Sequence, residues 1–201
     1  MLVVKTHGSA YDRGHQYGRQ LASQVRRRAP ADPLLSRAIP RGFAEAEAAR
    51  AGEVAGNMLR YLSKYEPGLV EEMRGLAAGA EVPFEAVFHL NAGGFVRYIL
   101  DFSGDGAMRY AEHEATAAGS ALEPHCGCTN VAFTQTEVGP LLGKTNDGGA
   151  PVPPERQPET WVLQHASPEG GPPFFIFAPV GALSGVAGVN ANGFAVGQSA
   201  A

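Results

Sequence analysis

Near residue 128 the apolar residues of this chain change their spacing, from a helical period of three to four to the alternation of strands. A chain that switches period in this way folds as helices joined to a sheet, so the expected class is α+β. In "YDRGHQYGRQLASQVRRR", Tyr17, Leu21 and Val25 lie four apart on one helical face. Gly14 and Gly18 fall on the same side, where small residues admit a closely packed neighbour. The three prolines of "PADPLLSRAIPRG" end that helix in a loop. A second helix is expected from about Ala44 to Tyr65, with Val54, Met58, Tyr61, Leu62 and Tyr65 at helical spacing. A third starts after Pro67, its stripe formed by Leu69, Met73 and Leu76, with Glu71 and Glu72 in the first turn, where the helix dipole favours carboxylates. Pro83 opens a shorter helix, "PFEAVFHLNA", and residues 101–124, rich in Gly, Ala and Ser, read as a connector.

Beyond Cys128 the segments are short and strand-like. "TNVAFTQT" and "LLGKTNDGG" flank the turn "EVGP" as a hairpin, "TWVLQHA" follows a proline loop, and "FFIFAPV" is an all-apolar strand of the sort buried on both sides. "GVAGVNANGFAVGQSA" is a hairpin turning at "NANG", where Asn192 and Gly193 supply positive φ. The last strand lacks an expected neighbour, which leaves an edge for a second chain or a further C-terminal segment to complete.

Composition narrows the functional classes. At 201 residues, 44% hydrophobic and 18% charged, the chain suits one domain with a substantial core. A formal charge of −4 gives no footprint for nucleic acid. Arg26, Arg27 and Arg28, near Arg19 and Arg37, read as a solvated helix end. No apolar run is long enough to cross a bilayer, and "MLVVKTHGSAYDRG" is unlike a secretory leader, so the expected address is the cytoplasm.

Both cysteines of the chain stand in "PHCGCTN", at the seam between the two textures. Residues 126 and 128 are too close in sequence to bridge each other comfortably, so free thiols in a reducing compartment are expected. As a nucleophile, Cys128 needs a base. His125 is three residues away; the alternative is the amine that Cys128 would gain if the Gly127–Cys128 bond were cut. An α-amino group titrates at about 7.7–8.0, close to working pH. Glycine at 127 removes bulk and eases attack by the sulfur on the preceding carbonyl. Other readings stay open: a buried structural thiol, or a metal held by His125, Cys126 and Cys128. The remaining histidines (7, 15, 89, 113 and 165) bring no second ligand pair of zinc spacing, so neither metal nor cofactor is implied. His165 reads as a packed strand residue and Cys126 as incidental. Asn146 and Asp147, beside Gly148 and Gly149, read either as turn formers or, on the next strand of the hairpin, as neighbours of Cys128.

The runs "CGCTNVAF", "GPLLGKTNDGG" and "GVNANGFAVG", with "GSAYDRGHQYGRQLA" and "PGLVEEMRGLAAGAEVP" upstream, resemble the isopenicillin N acyltransferase family, relatives of choloylglycine hydrolases and acid ceramidase. The likeness covers most of residues 8–199. It implies an N-terminal nucleophile hydrolase: an αββα sandwich, incomplete in this chain, whose catalytic sheet starts at residue 128 behind a helical pro-segment of residues 1–127. It implies cleavage between Gly127 and Cys128, and acyl transfer or hydrolysis at a carbon–nitrogen bond through a Cys128 thioester. The family's Gly-Arg-Asn-x-Asp pattern falls on residues 143–147. Asp147 would orient the α-ammonium, and Lys144 would hold positive potential near the thiolate. Thr145 replaces the family's asparagine, with Asn146 beside it as a substitute, and Asn190 lies in the turn that frames the substrate pocket. The family's oxyanion-hole asparagine, beyond this hairpin, has no counterpart. The implied partner is a small-molecule amide or acyl donor, not nucleic acid or a membrane. Two alternatives from other classes are a non-catalytic binding or scaffold relative that has lost processing, and a thiol-based metal or redox module.

Overall fold

A computed structural model of the protein describes residues 1–29, 45–102, 130–137, 139–145 and 160–198. Strand β1 (Leu2–Gly8) leads into helices α1 (Ala10–Gln20) and α2 (Ala22–Arg28), followed by α3 (Glu45–Tyr65), α4 (Pro67–Ala80) and α5 (Phe84–Phe102). The strands are β2 (Asn130–Phe133), β3 (Leu141–Lys144), β4 (Trp161–Pro168), β5 (Phe174–Pro179), β6 (Ala187–Asn190) and β7 (Ala195–Gly197). They form a five-stranded sheet in the order β1-β4-β5-β6-β7 and a separate β2–β3 pair. Only β1 and β4 run parallel within the larger sheet. Helices and a mixed sheet make the chain α+β. No helix among the described residues is long and apolar enough to cross a membrane.

Ser9 starts α1: its Oγ accepts from the Asp12 amide at 3.2 Å and donates to Asp12 Oδ2 at 2.6 Å, which satisfies one of the orphan donors of a helix start. The expected stripe of Tyr17, Leu21 and Val25 is buried against Met73, Leu76 and Ala80 of α4. Backbone meets backbone here. A Cβ on Gly14 would lie 1.9 Å from the Glu72 carbonyl oxygen, and one on Gly18 would lie 2.4 Å from that of Leu76. The arrangement is reciprocal, because Gly75 and Gly79 of α4 would carry a Cβ 2.0 Å from the Tyr11 oxygen and 2.2 Å from the His15 oxygen. In this dry seam Arg13 Nη2 donates to Glu72 Oε2 at 2.6 Å and Arg13 Nη1 to the Gly8 carbonyl at 3.0 Å. Glu72 is thus buried as an ion-pair partner rather than serving the helix dipole, which corrects the expectation drawn from its place near the helix start.

Three helices fasten the loop that follows β5. The Tyr17 hydroxyl accepts from the Gly181 amide at 3.0 Å. Asn91 of α5 donates to the Gly181 carbonyl at 2.9 Å and accepts from the Leu183 amide at 2.7 Å. Arg28 Nη1 donates to the Val180 carbonyl at 2.8 Å. Arg26 donates to the Ala80 carbonyl at 2.8 Å and pairs with Glu81 at 2.6 Å. The basic run is therefore not simply a solvated helix end, since Arg26 binds the end of α4 and Arg28 the loop after β5.

Leu2–Gly8 corrects the expectation that residues 1–127 form a wholly helical segment. β1 pairs with β4 from Leu2↔Val162 to Gly8↔Pro168, so both halves of the chain build one sheet. Its outer edge is covered by side chains of α1. Gln16 exchanges hydrogen bonds with the His7 amide and carbonyl, both at 3.0 Å, and Gln20 does the same for Lys5 at 3.4 and 2.8 Å. Two carboxamides thus stand in for a neighbouring strand, one of the ways a sheet edge is kept from pairing elsewhere.

Other expectations shift as well. α5 runs to Phe102 instead of stopping after "PFEAVFHLNA", because Phe88, Ala92 and Val96 carry a buried stripe past Gly93. Tyr61 and Tyr65 face outward on α3, their rings tilted against each other with centroids 4.6 Å apart, while Ala55, Met58, Leu59 and Leu62 meet the core. β5 is buried on one face only: Ala178 is enclosed, whereas Phe175 on the opposite face is 42% exposed. In the β6–β7 turn only Gly193 has positive φ, at 82°. The loop expected over "PADPLLSRAIPRG" and most of the 101–124 connector lie outside the described residues.

Gly14→Ala should force the two helices apart and cost about 3 kcal/mol, at the upper end for overpacking, because a backbone carbonyl occupies the space. Urea unfolding should show a lower midpoint with an unchanged slope. Burial pushes the Tyr17 hydroxyl up to about 12, against smaller lowering influences from the Gly181 amide and Arg28. The unfolded chain releases this proton near 10, so its contribution to stability is complete below that pH and disappears as the pH rises toward 12. Tyr17→Phe should lose about 1–3 kcal/mol at neutral pH, from the orphaned Gly181 amide. Its alkaline decline should be shallower than that of the wild type.

Candidate active site

β2 and β3 form the antiparallel hairpin expected from "TNVAF" and "LLGK", with Asn130↔Lys144 at its open end and Phe133↔Leu141 next to the turn. The turn closes through the Gly139 amide, which donates to the Thr136 carbonyl at 3.1 Å, and Gly139 takes φ of 94°, a conformation glycine adopts without cost. The hairpin lies beside β7. A Cβ on Gly197 would stand 2.6 Å from Asn130 Oδ1, so glycine at 197 is what lets the asparagine settle there.

Alternation along the strands gives the five-stranded sheet two different faces. Val4, Val162 and Ala178 point to the helices. Leu163, Phe175, Phe177 and Val189, paired in register, point the other way. Between that second face and Leu141, Leu142 and Lys144 of the hairpin is a cavity of about 400 Å³. Its size falls in the range of small-molecule sites. Among the described lining residues Lys144 is the one charged group, so the cavity offers an apolar wall with positive charge at one end. Such a site suits an apolar group carrying a polar or anionic end.

Lys144 is half-buried, and its Nζ donates to the Thr145 carbonyl at 2.8 Å. Thr145 follows it, exposed. Asn190 lies at the far end of β6 and organises its own turn: Oδ1 accepts from the Asn192 amide at 3.1 Å and the Phe194 amide at 3.0 Å. The expected substrate role for Asn190 would therefore fall to its Nδ2. Gly127, Cys128, Asn146 and Asp147 lie outside the described residues, as do His125 and Cys126. Asn130 is the residue that sequence reasoning passed over. Its signal was its place directly after "GCT", paired across the hairpin with the first residue of "KTND". His165 is half-buried and stacked on Phe175 at 4.5 Å, the packed strand residue it was expected to be.

Asn190→Ala should remove the acceptor of two hydrogen bonds and lower stability by about 0.5–1.5 kcal/mol for each bond lost. Asn190→Asp keeps Oδ1 as the acceptor of both bonds and should unfold at nearly the wild-type urea concentration. A drop equal to that of the alanine variant would show that the turn does not rely on Oδ1.

No protein-family model and no curated protein matches this chain.

Proposed function

We propose that the chain is a self-processing cysteine amidohydrolase or acyltransferase of the N-terminal nucleophile type, with Cys128 as its nucleophile. One observation carries the reading: the β2–β3 register sets Asn130, two residues after Cys128, directly opposite Lys144, three residues before Asp147. The segments bearing the nucleophile and its acidic partner thus leave the hairpin at the same end. The layering supports the same reading. Helices cover one face of the sheet and a second pair of strands lies across the other, as the first three layers of an αββα sandwich would.

In the proposed processing step Cys128 Sγ attacks the Gly127 carbonyl carbon, and the peptide nitrogen leaves as the new amine of Cys128. Water then hydrolyses the resulting thioester, releasing Gly127 as a carboxylate and restoring the thiol. In turnover the thiolate attacks a substrate amide, and the α-ammonium protonates the departing nitrogen. Asp147 holds that ammonium, and Lys144 favours the thiolate. Asn146 and Thr145 supply polar contacts in this reading, and Asn190 contacts substrate through its amide. Water or a second amine resolves the acyl-enzyme. The cavity beside Lys144 takes the apolar part of the acyl group.

A second reading, a binding relative without processing, is favoured by the exposure of Val131, Phe133 and Leu141 on one face of the hairpin. Such residues together form an apolar surface of the kind a partner covers. Intact mass under denaturing conditions separates the two. Processing gives pieces of residues 1–127 and 128–201, and Cys128→Ala stays whole. Under native conditions the pieces should elute as one particle, because β1 pairs with β4 across the cut. An uncut wild-type chain with an unreactive Cys128 would establish the binding reading instead.

A further inference from the structure

Beyond the first turn of each, six glycines stand inside α1, α3 and α4 at positions where alanine would make a better helix. Gly14, Gly18, Gly75 and Gly79 are explained by carbonyls that leave no room for a Cβ. Gly52 and Gly56 of α3 are different, since a Cβ on either would meet nothing within 4 Å. Both face a cavity of about 210 Å³ between α3 and α5.

The opposite wall is Phe88, His89 and Gly93 of α5. A Cβ on Gly93 would be 3.0 Å from His89 Cε1, 3.0 Å from Nδ1 and 3.1 Å from Nε2. Such nearly equal distances lay the imidazole flat on the glycine, with its nitrogens at the ring edge. Neither nitrogen has a hydrogen-bond partner among the described residues. The rest of the lining is apolar except Glu85, one turn before His89 at the rim, and α3 contributes no charged group to it. A dry apolar cavity of about 150 Å³ already admits benzene. This one is larger and adds one half-buried imidazole.

We propose that the α3–α5 cleft binds a neutral ring compound of phenol size that donates one hydrogen bond to His89. The carboxylate of Glu85 disfavours an anionic guest, and the small residues of α3 leave the ring its room. Burial lowers the proton affinity of His89, which keeps the imidazole a neutral acceptor at physiological pH. The site is separate from the cavity beside Lys144, and it does not depend on the reading of Cys128.

Phenol titrated calorimetrically into the full chain should bind saturably with one site. His89→Leu should weaken phenol about two- to tenfold, the equivalent of one net hydrogen bond, while leaving toluene binding unchanged or tighter. Gly56→Ala should raise the melting temperature by about 2–4 °C, from its helix propensity, and yet bind phenol more weakly. Because this variant is the better-folded protein, its lost affinity cannot come from unfolding. Non-saturable phenol binding to the wild type would overturn the proposal. So would equal phenol affinity in wild type and Gly56→Ala, or in wild type and His89→Leu.

Discussion

The close approach of α1 to α4 is the constraint on which the remaining structure depends. Gly14, Gly18, Gly75 and Gly79 each place Cα hydrogens against a carbonyl of the facing helix, and no larger residue fits at any of them. The individual contacts are weak. Their joint effect is registration, because only one alignment sets all four glycines against a facing carbonyl. The seam also excludes water from Arg13 and Glu72, whose side chains are 12% and 11% exposed. A buried pair of this kind adds little net stability over an apolar pair, but losing either partner would strand a charge. Arg13 Nε already lacks a partner among the described residues. The ion pair therefore penalises any slip of the register that the glycines set.

That register reaches the sheet through one face of α1. Gln16 and Gln20 cover the outer edge of β1, and Tyr17, on the inner side of the same helix, accepts from Gly181 across the core. A shift of one residue along α1 would turn the glutamines from the strand and the hydroxyl from the loop. The helices thus decide where β1 sits, and β1 in turn holds β4 in parallel register. A cut at residue 128 would leave two polypeptides that share one sheet and one core. In that respect the fold suits a protein matured by internal cleavage.

Local periodicity revealed faces but not partners. The stripe of Tyr17, Leu21 and Val25 and both late hairpins were legible because each needs only neighbours in sequence. β1 was not, because its partner lies about 160 positions away and its leading Leu-Val-Val masks the alternation. The length of α5 was hidden by Gly93 and Gly94, which look like a stop until the buried Val96 is seen beyond them. Glu72 looked like a dipole residue because its partner, Arg13, is 59 positions distant. At the candidate site, the sequence placed Lys144 on the second strand of the hairpin, where it is found. Its opposition to Asn130 follows from the hairpin register, which sequence alone did not number.

Glycine serves in this chain for three physical reasons, and they mark different levels of the design. At 14, 18, 75 and 79 it admits a backbone, which is architecture. At 139 and 193 it supplies positive φ, which ends strands where the two hairpins must turn. At 197 it makes room for the Asn130 side chain, so the hairpin can lie across the second face of the sheet. With a larger residue there, the exposed Asn130 side chain would have to turn away from β7. The end of the hairpin at Asn130 thus meets β7, a strand more than fifty residues further along, across a glycine.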